Sequence, residues 1–168
     1  AVVTLYAVVD ELSGIRLPEN LKDSSVSVKK KKMNLMSLCV HKKDTLRLRE
    51  EIPLVSNKPN VAELLWYTAE IRGLDLRPEE NVVKARGELF LFVMYTGDDE
   101  NNSLQWTEHS VPFSGEVECN GCTADMIPNI EAGVINQNLE VKPDADGEER
   151  IFQADVVLEL EMKLYREE

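Results

Sequence analysis

Apolar and polar side chains alternate with period 2 through segment after segment of this chain, and no other feature constrains the fold as tightly. From 152 to 164 the even positions are Phe152, Ala154, Val156, Leu158, Leu160, Met162 and Leu164, while the odd ones include Gln153, Asp155, Glu159, Glu161 and Lys163. A helix would wrap those apolar residues around its whole circumference, so the segment reads as a strand with one buried face. Residues 45–54 alternate likewise, with Leu46, Leu48, Ile52 and Leu54 against Thr45, Arg47, Arg49 and Glu51. From 82 to 96 the odd side is Val83, Ala85, Leu89, Leu91, Val93 and Tyr95, and the even side changes from Lys84, Arg86 and Glu88 to Phe90, Phe92 and Met94. The second half of that strand is expected to be central and covered on both faces. Shorter strands are expected at 2–9, 34–40, 67–76, 104–113 and 130–141.

Turn residues separate these segments: Arg77-Pro78-Glu79-Glu80-Asn81, Gly97-Asp98-Asp99-Glu100-Asn101-Asn102 and Lys142-Pro143-Asp144-Ala145-Asp146-Gly147 supply the Pro, Gly, Asp and Asn that reversals favour. One short helix is expected near residues 59–65, where Ser56 or Asn57 can cap, Pro59 suits a first turn and Glu63 sits near the positive end of the dipole. Gly87, inside a strong strand pattern, implies a bulge or a close backbone approach. Many strands, one short helix and no alternating βα units give an all-β fold, an antiparallel β-sandwich or an open barrel.

The 168 residues, 43% of them hydrophobic, suffice for one domain with a fragment of a second. Lys and Arg number 19 against 31 Asp and Glu, a net charge of -12, and such a field repels nucleic-acid backbones. No apolar run approaches the roughly 18 residues that a membrane helix needs. The chain opens Ala1-Val2-Val3 without Met or a leader pattern, as an excised piece would. Charge is uneven: residues 1–50 hold ten Lys and Arg against six Asp and Glu, and residues 51–168 hold nine against twenty-five. The stretch 23–32, ending in Lys29, Lys30, Lys31 and Lys32, reads as a linker. Its functional reading is a basic anchor for an acidic partner; its bland reading is a solvated charge run.

Catalytic patterns are weak. Cys119-Asn120-Gly121-Cys122 supplies half of a tetrahedral zinc site, and completing it needs two of Cys39, His41, His109 or a carboxylate. Asn-Gly reads as a tight turn, so the pair is expected to be two thiols in an ordinary loop, with no metal and no cofactor. Three cysteines are too few for a disulfide framework. Asp144-Ala145-Asp146-Gly147 fails the spacing of a calcium loop and reads as a hairpin turn. No Ser or Cys stands in a nucleophile-elbow context beside His41 or His109, and no phosphate-cradling glycine pattern is present. The expectation is a protein that is not an enzyme.

Four stretches, in one order, carry a resemblance: Lys58-Pro59-Asn60-Val61-Ala62-Glu63-Leu64-Leu65 after Glu51-Ile52-Pro53; Val82 to Tyr95 around Gly87; Val111-Pro112-Phe113; and Glu149-Arg150 through Ala154-Asp155-Val156-Val157-Leu158 to Leu164-Tyr165. Together they resemble the SPOCS domain of spore-coat morphogenesis proteins in endospore-forming bacteria. The family has Asp where Asn60 stands, and the region 120–129 departs from its pattern. The resemblance implies a non-enzymatic scaffold in the spore envelope, acting at the forespore surface in the mother-cell cytoplasm. Its partners would be other envelope proteins, or itself through sheet edges. Tandem copies are frequent in the family, so residues 1–40 read as the end of a preceding repeat plus its Lys-rich linker, or as an added edge strand; 41–168 read as the visible domain. Contact residues are expected at Trp66 and Trp106, each of which also suits a core. The rival reading is a carbohydrate-binding β-sandwich in which Trp66, Trp106 or Tyr67 stacks on a sugar ring.

Overall fold

The computed structural model describes residues 31–168 together with 2–5, 7, 9, 11, 14, 16, 27 and 29. The chain divides into two units, Ala1–Met33 and Asn34–Glu168. In the first, the described positions are exposed and carry no strand. Of the strand expected at 2–9, Tyr6 and Val8 lie outside the described residues. Of the lysine run, Lys30 lies outside them, and Lys29, Lys31 and Lys32 are exposed.

The second unit is built from six strands: β1 (Met36–Pro53), β2 (Val61–Glu79), β3 (Val82–Gly97), β4 (Leu104–Glu118), β5 (Ile127–Pro143) and β6 (Glu149–Glu167). They form two three-stranded antiparallel sheets, one ordered β1-β6-β5 and the other β2-β3-β4. Hydrogen bonding does not close them into a barrel, so the sandwich is the architecture that forms. Each central strand carries the strongest alternation in the sequence. On β6, Phe152, Ala154, Val156, Leu158, Leu160, Met162 and Leu164 face inward and are buried; on β3, Val83, Ala85, Leu89, Leu91, Val93 and Tyr95 do the same. The inward faces meet through Tyr95 and Phe152, whose rings stand edge to face at 6.1 Å, a favoured aromatic geometry. On one side β1 lies against β4, where Lys42 Nζ donates to the Glu118 carbonyl at 2.7 Å. On the other β5 meets β2, where the Tyr67 hydroxyl donates to the Gln137 carbonyl at 3.4 Å.

Residues 34–40 and 45–54, expected as two strands, run as the single strand β1, with a register shift between Leu38 and Val40. The helix expected near 59–65 does not form. Ser56, Asn57 and Lys58 make a turn, Lys58 N–H donating to the Val55 carbonyl at 3.1 Å, and β2 begins at Val61. The cap and proline signals were real turn chemistry, but a helix of two turns gains too little by itself. Burying Val61 and packing Leu64 on the core, with pairing along β3, outweighs it. Gly87 faces the irregularity in β2 between Arg72 and Asp75. A Cβ there would lie 3.0 Å from the Phe113 ring and 3.1 Å from the Arg72 carbonyl, the close approach that its place in a strand implied.

Candidate interaction face

The even positions of β3 define the outer face of its sheet, and there the sequence stops alternating. Lys84, Arg86 and Glu88 give way to Phe90, Phe92 and Met94. The expectation that a second layer covers this half is corrected by the structure: β3 is central, but among the described residues its outer face is shielded only by side chains of its own neighbours. Cross-strand register sets the arrangement, since directly opposite residues share a face. Trp66 on β2 lies opposite Met94, and Met94 lies opposite Trp106 on β4. In the next row Thr68, Phe92 and Glu108 are aligned.

Phe92 therefore sits between the two indoles. Trp66 meets it edge to face at 5.7 Å, and Trp106 stacks on it at 6.1 Å with an interplanar angle of 17°. With strands about 4.8 Å apart, the indoles stand roughly 10 Å from each other across β3. Trp66 is 54% exposed and Trp106 55%. Leu65, the extra residue where the β2–β3 register shifts between Leu64 and Trp66, and Leu104 at the start of β4 extend the patch and are exposed. The face ends in cations at both sides. Lys58 Nζ stands 5.6 Å from the Trp106 ring centre, and the Arg72 guanidinium lies 3.4 Å over Phe90, contacts that fix the rings and raise their polarity. Arg72 is also paired with Glu70 at 2.9 Å. Glu63 and Glu108, beside the patch, carry no ion pair among the described residues.

Trp66 and Trp106 are thus brought together, forty residues apart in sequence. Lys29, Lys31 and Lys32 belong to the other unit. Sequence reasoning missed Phe92, Met94, Leu65 and Leu104 as contact residues; the signal was the loss of alternation after Glu88.

The remaining chemistry-bearing residues singled out in the sequence make the following contacts. Cys119 and Cys122 are buried and unbridged. Their turn is clamped by Asn81, whose carbonyl accepts from Cys119 N–H at 2.8 Å, whose N–H donates to the Cys122 carbonyl at 2.9 Å and whose side chain accepts from Gly121 N–H at 2.9 Å. Burial and the adjacent Cys119 thiol push Cys122 up to about 11, the opposite of a reactive thiolate. Among the described residues no three His, Cys, Asp or Glu side chains gather as metal ligands. Asp144 caps its hairpin by accepting from Asp146 N–H at 2.9 Å and Glu148 N–H at 3.1 Å. His109 tilts against Phe152 at 6.2 Å and contacts Thr107 at 3.1 Å, and burial lowers its pKa. Asp155 is gripped by Arg47 through two bonds of 2.8 and 2.7 Å and by Arg49 at 2.8 Å. Those guanidinium groups hold its carboxyl down at about 2. No helix among the described residues is long and apolar enough to cross a membrane.

Residues 60–142 match the family model described as SipL, SPOCS domain. No curated protein and no solved structure matches the chain.

Proposed function

Because the chain belongs to the SPOCS-domain family through residues 60–142, with the sporulation-related role which that membership suggests, we propose that it is a non-catalytic scaffold module of spore-envelope assembly. It binds another envelope protein with the outer face of the β2-β3-β4 sheet. The observation that carries this reading is the Trp66–Phe92–Trp106 cluster, its two indoles half exposed on a sheet face that no other element among the described residues covers. Interface centres favour Trp and Arg seated in desolvated patches, and a flat antiparallel sheet presents them with little conformational freedom left to lose. The unpaired Glu63 and Glu108, on a chain of net charge -12, select a partner surface that is apolar at its centre and basic at its rim.

Aromatic rings held across strands also suit stacking on a sugar, the rival raised by the sequence. One experiment separates the two. The double substitution Trp66→Ser and Trp106→Ser is placed in the native gene, fused to a fluorescent protein, in sporulating cells, and the purified variant is mixed with insoluble peptidoglycan. The scaffold reading expects the fusion to lose its place at the forespore surface at unchanged abundance, with no peptidoglycan binding by the parent protein. Saturable peptidoglycan binding abolished by the double variant moves the assignment to glycan recognition, and normal placement of the variant removes the face from the function.

A further inference from the structure

A second surface, separate from the aromatic face, lies along β5. This strand is the least buried of the six, with Leu139 alone fully buried along its length. It meets β2 at Gln137, where the Tyr67 hydroxyl reaches its carbonyl and the Gln137 side-chain oxygen accepts from Ala69 N–H at 3.1 Å. Toward the N-terminal end of β5 no described residue covers the seam between the sheets. Ala132 and Val134 stand on the core-facing side, opposite Leu160 and Leu158 of β6. Those leucines are buried, yet Ala132 is exposed and Val134 is 41% exposed. On β2, Ile71, Leu74 and Leu76 are likewise left partly exposed although they pack on the core.

The other side of the same stretch is acidic. Glu131, Ala132, Gly133, Ile135, Glu159 and Glu161 line an open concavity of about 220 Å³, where Gly133 contributes no side chain. Glu161 is occupied by His41 at 3.0 Å and Lys43 at 3.4 Å. Glu131, directly opposite it, and Glu159 carry no ion pair among the described residues. Like charges facing each other across strands are unfavourable and leave a demand for cations.

An edge strand exposes a row of unpaired N–H and C=O groups, and this one is bounded. Pro128 lacks a donor at one end, and the register shift at Ile135, between Val134 and Asn136, bends the strand at the other. Six residues remain, 129–134, with Ile130, Ala132 and Val134 on the inner side and Glu131 on the outer, next to Glu159 and Glu161 of β6. We propose that this edge accepts an extended segment of about six residues from a partner protein by strand addition. That segment alternates aliphatic residues, which fill the seam beside Val134, Ile71 and Leu74, with Lys or Arg, which face Glu131 and Glu159. Main-chain pairing supplies affinity and the alternate side chains supply selectivity. The acidic flank attracts the basic segment and repels an acidic strand of equal β propensity.

The probe is a fluorescently labelled synthetic peptide, acetyl-Lys-Val-Lys-Val-Lys-Val-Lys-amide, titrated with the full chain and followed by anisotropy; the control has Glu in place of each Lys. The basic peptide binds saturably, Val134→Asp and Glu131→Lys each weaken it roughly tenfold, and amide exchange slows at 129–134. The Trp66→Ser, Trp106→Ser variant binds it unchanged, which separates this surface from the aromatic one. Glu131 is on the solvent side of the sheet, so Glu131→Lys reports even where Val134→Asp disturbs folding. Equal binding of the Glu peptide, no saturation below about 1 mM, or protection elsewhere overturns the proposal. So does self-association of the chain that Val134→Asp abolishes, because the seam then holds a second copy.

Discussion

Replacing Phe152 by Ala tests whether the two sheets are held together where the central strands meet. Phe152 is fully buried, its ring stands 6.1 Å from Tyr95 and 6.2 Å from His109, and it comes from the strand that pairs with both β1 and β5. Truncation removes a complete aromatic side chain from a site lined by two strands of the opposite sheet, and such changes cost about 3–5 kcal/mol. The lost edge-to-face contact with Tyr95 places the cost toward the upper half of that range, since aromatic pairs add about 0.5–1.5 kcal/mol beyond area. Tyr95 is itself tied to the Pro59 carbonyl through its hydroxyl at 3.2 Å, so it cannot swing freely into the cavity, and relaxation recovers little. The matched control is Trp66→Ala, a larger residue that is 54% exposed; with half of its surface already in water it costs about 1–2 kcal/mol. Urea titrations followed by far-ultraviolet circular dichroism give both values. A Phe152→Ala cost below about 2 kcal/mol, or a Trp66→Ala cost equal to it, refutes the assignment of inner and outer faces.

Three further outcomes follow from the geometry. In native protein the exposed Cys39 reacts rapidly with a thiol reagent while the buried Cys119 and Cys122 react only after denaturation; three fast thiols contradict the buried turn. Asp155, held at about 2 against an ordinary 3.8, gives stability that is complete above about pH 4 and fades as pH falls toward 2, because the unfolded state binds the extra proton first. His109, lowered from 6.5, adds a loss that begins as pH falls below about 6.5 for the same reason. Asp155→Asn erases the acid step in a plot of denaturation midpoint against pH and leaves the histidine step. Finally, a Cβ at Gly115 would lie 2.8 Å from Leu46 Cδ1 across the sheets, so Gly115→Val costs about 1–3 kcal/mol by overpacking, and Leu46→Ala in the same chain recovers part of it.

The legible part of the fold was the part encoded by alternation. The stripes on 82–96 and 152–164 marked the apolar inward residues of β3 and β6, because a half-buried strand needs no more than period 2; β3 was expected to be central, whereas the central place of β6 between β1 and β5 depends on long-range pairing that alternation does not encode. The N-terminal end of β2 was not legible. Ser56, Asn57, Pro59 and Glu63 carry helix-start chemistry, and only the long-range pairing of Val61 with Gly97 and of Glu63 with Thr96 decides against it. Trp66 and Trp106 were singled out separately, but nothing local in the sequence says that the same strand, β3, lies between them. The seam beside β5 was also hidden, since Ala132 and Val134 read as ordinary inward positions and their exposure depends on where β2 passes.

A scaffold role requires that the outer face of the β2-β3-β4 sheet be covered when the protein is at work. Hydroxyl-radical footprinting of Trp66 and Trp106, the two tryptophans of the chain, reads this directly by mass spectrometry in free protein and in intact spore envelopes. Both indoles, exposed by more than half in the free chain, are expected to oxidise readily there and to be protected severalfold in the envelope, while Met33 and Met36 serve as internal references for reagent access. Equal oxidation of the two tryptophans in both states would contradict the central claim.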